Sequence, residues 1–363
     1  MKKSMKIAFI VRSTINHVKG GDSMQVNNTA IALRKLNVDV DIKLSTDKID
    51  YGKYDLLHLF NIIRPADHLT HITQSKVPFV ISTIYLDYSK FDYNGRSGFQ
   101  KHILRILGKN KAEYLKNNYR FLKNQDSIAS KEYLLGHKRG IKKILKNAKL
   151  ILPNSESEYQ RLLEDYGILK GYHVVPNGIN AYIFNRIPKV KRIENQMLCV
   201  GQIYGLKNQH SLIEVTRDMD VRLIIIGKPP PNHVSYYNYC RKIAHSNVTF
   251  YDFMPQNELI RHYAQSKVHA LPSWFETTGL SSLEAGAMGC NLVVGSGGDT
   301  KDYFTGKASF CLAGDNESIK KALEYELEKP TNFDFRNTIL AKYTWEHAAM
   351  ETLKAYKKAL QID

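Results

Sequence analysis

Acidic residues are scarce in this chain: 35 Asp and Glu stand against 52 Lys and Arg, a formal net charge of +17 over 363 residues. That imbalance bears on partners and surfaces rather than on fold, and it favours anionic partners. Cysteine is scarce too. Cys199, Cys240, Cys290 and Cys311 form no CxxC pair, and none sits near a His at metal-ligand spacing. Neither a disulfide framework nor a zinc site is expected; small core residues of a reduced, cytoplasmic protein are. Long hydrophobic runs are missing, since none approaches the ~18–20 residues of a membrane helix. The opening MKKSMKIAFIVRST puts lysines before an apolar run, as a signal peptide does. Ile7 to Val11 is too short for that and no small-residue cleavage site follows, so it reads as a buried first strand. An Asp-x-Asp in a metal-binding setting is lacking as well. Asp39 and Asp41 flank Val40 inside a strand-like run, and no metal is expected.

The positive charge is uneven. Lys109, Lys111, Lys116, Arg120, Lys123, Lys138, Arg139, Lys142, Lys143 and Lys146 crowd the stretch from Lys101 to Lys149, against only Glu113, Asp126 and Glu132. The plain reading is a solvated helical face. The sharper one is an anionic membrane surface. Nucleic acid is not expected as a partner, because no zinc-finger, RRM, KH or helix-turn-helix signature accompanies the charge.

Length argues for two domains, since single cores stop growing near ~250–300 residues. Strands and helices alternate along both halves. KIAFIV, VDVDIKL, YDLLHLF, VPFVISTIYL, KLILP and HVVP are strand candidates in the first half, and MLCVG, VRLIIIG, VTFYDF, VHALP and NLVVG in the second. Continuous apolar runs, rather than strict alternation, predict parallel strands covered on both faces. Two successive β/α series predict an α/β protein of two doubly wound, Rossmann-like domains facing one another. The expected bounds are 1–185, then 195–342 after a linker between Asn180 and Asn195. A last helix, 343–363, carries Trp345, Ala348, Ala349, Leu353 and Tyr356 at helical spacing.

The densest chemistry lies in PSWFETTGLSSLEAGAMG, Pro272 to Gly289. A buried strand ends in a polar loop, and Thr277, Thr278 and Gly279 open a predicted helix running to about Met288. A helix N-terminus suits a diphosphate, and Gly279 lets backbone approach closely. Glu276 precedes that helix and Glu284 lies within it, seven residues intervening. A helical spacer at ~1.5 Å per residue puts their backbones roughly 12 Å apart. That is wide for an acid/base pair and suits two carboxylates holding opposite ends of one ligand. The plainer reading is two acids favoured near a helix start.

This segment resembles the retaining GT-B glycosyltransferases of glycosyltransferase family 4, the group 1 type. Pro272-Ser273, Glu276, Gly279-Leu280 and Leu283-Glu284-Ala285 match the family's pattern; Thr277-Thr278 replace its commoner Gly-Phe. VVPNGIN, LPNSESEYQRL, FMPQNELIRHYAQSKV and YTWEHAA extend the likeness over most of the chain. The resemblance implies a GT-B fold whose last helix crosses back to the first domain. It implies transfer of a sugar, with retention, from a UDP- or GDP-sugar to a glycan or lipid-linked acceptor, as in surface polysaccharide synthesis. No cofactor is implied.

Carried over residue by residue, Glu276 holds sugar hydroxyls and Glu284 the ribose. Lys207, after CVGQIYG, holds the diphosphate together with Thr278, Gly279 and Leu280. Met254 lies in the loop that holds the base, and Gly20-Gly21 cover the phosphates. Two positions depart from the family: Gln202 stands where Arg is usual, and no His follows PFVISTIYLDY, where Tyr85 and Asp87 stand instead. Gln supplies a hydrogen bond but no charge. A catalytically impaired sugar-nucleotide-binding protein of the same fold is therefore the alternative. The expected location is cytoplasmic, peripheral on the inner membrane face.

Overall fold

The computed structural model describes residues 4–17, 20–87, 91, 136–167, 171–331 and 333–362. The chain divides into two compact units. The first comprises Met1–Leu86, His102–Asn177 and Trp345–Asp363; the second comprises Asp87–Lys101 and Gly178–Thr344.

In the first unit β1 (Lys6–Val11), β2 (Asp39–Leu44), β3 (Leu56–Phe60), β4 (Phe79–Ser82) and β5 (Leu150–Leu152) form one sheet of order β2-β1-β3-β4-β5. Every pair is parallel. β3 and β4 are buried at each position, as strands covered on both faces must be. The helices are α1 (Gly21–Lys35), α2 (Ala66–Gln74), α3 (His137–Asn147), α4 (Glu156–Tyr166) and, from the chain's end, α13 (Trp345–Leu360). A strand predicted at His173–Pro176 is instead an extended segment beside β5 with one isolated bridge, Ile151 to Tyr172. Val175 N–H donates to the Pro153 carbonyl, but Pro153 has no N–H to return, so the ladder stops.

Buried polar contacts fasten α13. The Tyr356 hydroxyl lies 2.6 Å from His58 Nδ1, and His58 Nε2 lies 2.8 Å from Ser82 Oγ. Burial pushes His58 down to about 3, so the ring is neutral and its single N–H serves one of these bonds. Nearer solvent, His173 Nε2 meets Glu351 at 2.8 Å.

The second unit holds β6 (Ile193–Val200), β7 (Arg222–Ile226), β8 (Val248–Tyr251), β9 (Ser266–Leu271), β10 (Asn291–Gly295) and β11 (Ser309–Cys311). Their order is β11-β10-β9-β6-β7-β8, all parallel. Read from β8, this is the doubly wound order 3-2-1-4-5-6. β11 went unpredicted because Ser-Phe-Cys carries too short an apolar signal. The helices are α5 (Ala181–Phe184), α6 (Gln209–Val215), α7 (Val234–Ile243), α8 (Gln256–Gln265), α9 (Leu280–Ala287), α10 (Thr300–Phe304), α11 (Asn316–Glu328) and α12 (Asp334–Lys342). The stretch read as a linker belongs to this unit. Phe184 is fully buried in its core, and Arg192 donates to the carbonyls of Ser266 at 2.6 Å and Met288 at 2.7 Å. Ile179 N–H donates to the Tyr343 carbonyl at 2.8 Å, which closes the unit at both ends.

One buried carboxylate organises the loops after β4 and β5. Glu158 is 0% exposed and accepts from the Thr83 hydroxyl, from Tyr85 N–H at 2.7 Å and from Asn154 N–H at 3.0 Å. Replacement by Leu strands three buried donors. We expect Glu158→Leu to cost about 3 kcal/mol and Glu158→Gln, which keeps one acceptor oxygen, clearly less, as read from urea unfolding.

Candidate functional site

Ligands of open α/β sheets bind beyond the carboxyl ends of the strands, where the strand order reverses. In the second unit that point lies between β6 and β9. Two loops leave there, Gly201–Asn208 after β6 and Pro272–Gly279 after β9. Trp274 N–H donates to the Leu206 carbonyl at 2.8 Å and stitches them together.

Lys207 stands on a single 3-10 turn, Gly205–Lys207, closed by its own N–H on the Tyr204 carbonyl. Asn208 follows in the left-handed conformation, φ 60°, and starts α6. This sharp reversal aims the lysine at the β9 loop. Lys207 Nζ lies 2.5 Å from Glu276 Oε1, with side-chain exposures of 18% and 11%. Neighbouring groups feel the pair. Burial pushes the Cys199 thiol up to about 12, with Lys207 pulling it down and Glu276 pushing it up. Burial and Glu276 also push the Tyr204 hydroxyl up.

Glu276 is held by a second loop. Its N–H donates to the Gly297 carbonyl at 3.2 Å, and its own carbonyl accepts from Asp299 N–H at 2.8 Å. Gly298 has φ +85°, and a Cβ there would lie 2.1 Å from the Glu276 carbonyl oxygen. Only glycine satisfies both the backbone and the approach. The Gly-rich stretch after β10 is therefore part of the site. The sequence alone assigns Gly297-Gly298 no role, although they lie only one short strand beyond Gly289.

Helix α9 begins at Leu280, later than predicted, so Thr277 and Thr278 lie in the loop. Gly279 caps it at φ +81°. Thr278 is buried and Leu280 half-buried. The helical-spacer distance between the two glutamates accordingly does not apply. Glu284, buried in α9, accepts from Gln256 Nε2 at 2.5 Å and from the Tyr263 hydroxyl at 2.8 Å. Among the described residues no cation touches it, and burial pushes it up to about 7, against the two hydrogen bonds. The segment thus holds two carboxylates of different character: Glu276 on a lysine, Glu284 between neutral donors.

Met254, just before α8, is half-buried against the core of this unit. Gln202 gives its backbone carbonyl to Gln209 Nε2 at 2.9 Å. Gly20 and Gly21 belong to the first unit, at the cap and first residue of α1. There Arg12 clamps Asp22 through Nε at 2.6 Å and Nη2 at 3.0 Å and so fixes the start of α1. Tyr85, which stands near the place of the missing His, is buried, and its hydroxyl bonds Asp165 and Tyr166. It is a core residue of the first unit.

Residues 184–340, most of the second unit, match the family described as glycosyl transferases group 1. The D-inositol 3-phosphate glycosyltransferase of Corynebacterium urealyticum is 26% identical over 176 residues, 44% of this chain and 42% of that protein. The chain spans about half the length of the curated relatives it matches. Among solved structures, the sucrose-phosphate synthase of Thermosynechococcus elongatus superposes with TM-score 0.76 at 16% identity, over 98% of this chain and 99% of that one. Anabaena HepE in complex with UDP and glucose gives 0.67 at 14% identity, over 97% and 100%. The fold is that of the GT-B glycosyltransferases, with two parallel-sheet α/β units, and these matches support a glycosyltransferase of group 1.

We expect Gly298→Ala to displace the Glu276 loop and cost about 1–3 kcal/mol of stability, read from urea or thermal unfolding, because it forces a strained φ and a backbone clash.

Proposed function

We propose that the protein is a retaining glycosyltransferase that moves a sugar from a UDP- or GDP-sugar to a glycan or lipid-linked acceptor, in surface polysaccharide synthesis. The observation that carries this reading is the Lys207–Glu276 pair at the switch point of the unit that matches the family. In the absence of donor each group neutralises the other. With donor present, Lys207 turns to the diphosphate and Glu276 to hydroxyls of the transferred sugar.

The reaction needs no protein nucleophile. The acceptor oxygen attacks the anomeric carbon from the face that the diphosphate leaves. The bond from that carbon to the phosphate oxygen breaks, and the acceptor's proton passes to that oxygen. Lys207 and backbone N–H groups around Thr278 and Gly279 stabilise the developing phosphate charge. With Gln202 in place of arginine, more of that charge falls on Lys207. Met254 lies beside the base, and Glu284 accepts from the ribose. The proposed reaction uses no metal.

We further propose a cytoplasmic protein that docks on anionic lipid. Helix α3 buries Ile141, Ile144 and Leu145 and exposes Lys138, Arg139, Lys142 and Lys146, with no acidic residue in it. Residues 101–135 of the basic stretch lie outside the described residues. Among the described residues no helix is long and apolar enough to cross a membrane.

A thermal-shift screen across nucleotide sugars, followed by transfer or hydrolysis assayed by mass, tests the activity. Lys207→Ala should lower turnover by about 10²–10³. A donor that binds without any turnover would instead favour a sugar-nucleotide-binding protein of impaired chemistry. On vesicles, binding should require anionic lipid and weaken with salt and with Lys142→Glu plus Lys146→Glu; equal flotation with neutral vesicles would refute docking.

A further inference from the structure

Glu284 is the carboxylate that the proposed function assigns to the donor's ribose, and its surroundings are specific. Helix α8 carries Gln256 in its first turn and Tyr263 seven residues on. Seven residues are two helical turns, so both side chains project from one face. That face meets α9, and the two side chains divide the carboxylate between them, Gln256 on Oε1 and Tyr263 on Oε2. Tyr263 is 0% exposed, and the Cys290 thiol donates to its carbonyl at 3.0 Å, which fixes its end of α8.

Among the described residues no other group competes for this carboxylate. On β9, His269 is neutral, burial pushing it to about 3, and it reaches Ser282 rather than Glu284. On α8, His262 packs on the Tyr251 ring. At the start of β10 stands the Cys290 thiol, pushed up to about 11 by burial. On α12, Arg336 donates to the carbonyls of Phe184, Asn185 and Ala287. Arg192 is likewise bound to carbonyls. The charge on Glu284 therefore depends on two neutral hydrogen bonds.

We propose that Tyr263 and Gln256 are positioning residues that keep the Glu284 carboxylate ionised and aimed, and thereby set the preference for a ribonucleoside diphosphate over its 2′-deoxy counterpart. This rests on the reading of Glu284 as the ribose acceptor. An ionised oxygen makes the stronger bond to a hydroxyl. Because Glu284 titrates near neutrality, donor affinity should rise with pH through that range. Tyr263→Phe removes a bond that favours the ionised form, so the rise should move to higher pH. Gln256→Ala acts in the same direction from the half-exposed start of α8.

The test is calorimetric titration of UDP, GDP and their 2′-deoxy forms into the full-length protein across the neutral range. The wild type should prefer ribose by about tenfold and bind more tightly as pH rises. Tyr263→Phe should shift the rise to alkaline pH and shrink the ribose preference several-fold. Glu284→Gln should abolish the pH dependence. A wild-type profile and ribose ratio in both Tyr263→Phe and Gln256→Ala would overturn the proposal. Should Tyr263→Phe fail to fold, Gln256→Ala alone decides it. If Glu284→Gln binds UDP and GDP as the wild type does, the ribose reading itself falls.

Discussion

The loops at the second unit's switch point depend on bringing Lys207 directly against Glu276. Neither residue is in a strand or long helix. The lysine sits on a one-turn 3-10 segment, and the glutamate sits in a loop. Two loops can hold a half-buried ion pair only if their backbones are fixed, since the pair's own attraction is offset by desolvation. The fixing is done by backbone hydrogen bonds, from Trp274 to Leu206 and from Glu276 and Asp299 across the Gly297–Gly298 turn. Glycine enters there for steric reasons, and the charge pair is its beneficiary.

This dependence explains which parts were legible in the sequence. The strands were, because strands covered on both faces must be apolar throughout, and runs such as LIII and LVV admit few other readings. The two glutamates and Lys207 stood out through their resemblance to a family, and the structure places Lys207 against Glu276. Gln256 and Tyr263 were not. A tyrosine and a glutamine at helical spacing look like any amphipathic face until α9 is seen packed against them. Gly298 was missed for a related reason: its requirement comes from a carbonyl twenty-two positions earlier in the chain, which no local pattern reports. The extended segment at His173–Val175 misled in the opposite sense. Its residues favour a strand, but the partner it meets is Pro153, which cannot complete the exchange.

The departures from the family pattern acquire physical content in the structure. Tyr85 does not replace the family's histidine in any chemical sense. Its hydroxyl is turned to Asp165 and Tyr166, and its N–H is held by Glu158. The loop after β4 is thus anchored inward, on α4. Gln202 contributes its backbone carbonyl to Gln209. The cation of the second unit's switch point is Lys207, already matched to a carboxylate.

The two glutamates of one short segment show how burial and partners separate the roles of chemically identical side chains. Glu276 is nearly as buried as Glu284, yet a lysine ammonium faces it. Among the described residues Glu284 meets only an amide and a phenol, and burial wins by enough to bring its titration to about 7. A ligand hydroxyl offered to Glu276 competes with the Lys207 ammonium. One offered to Glu284 meets a group whose charge is itself in balance, and by linkage its binding draws that balance toward ionisation. The seven-residue spacing therefore sets two acceptors of unequal strength along one segment, one governed by Lys207 and the other by the packing of α8 on α9.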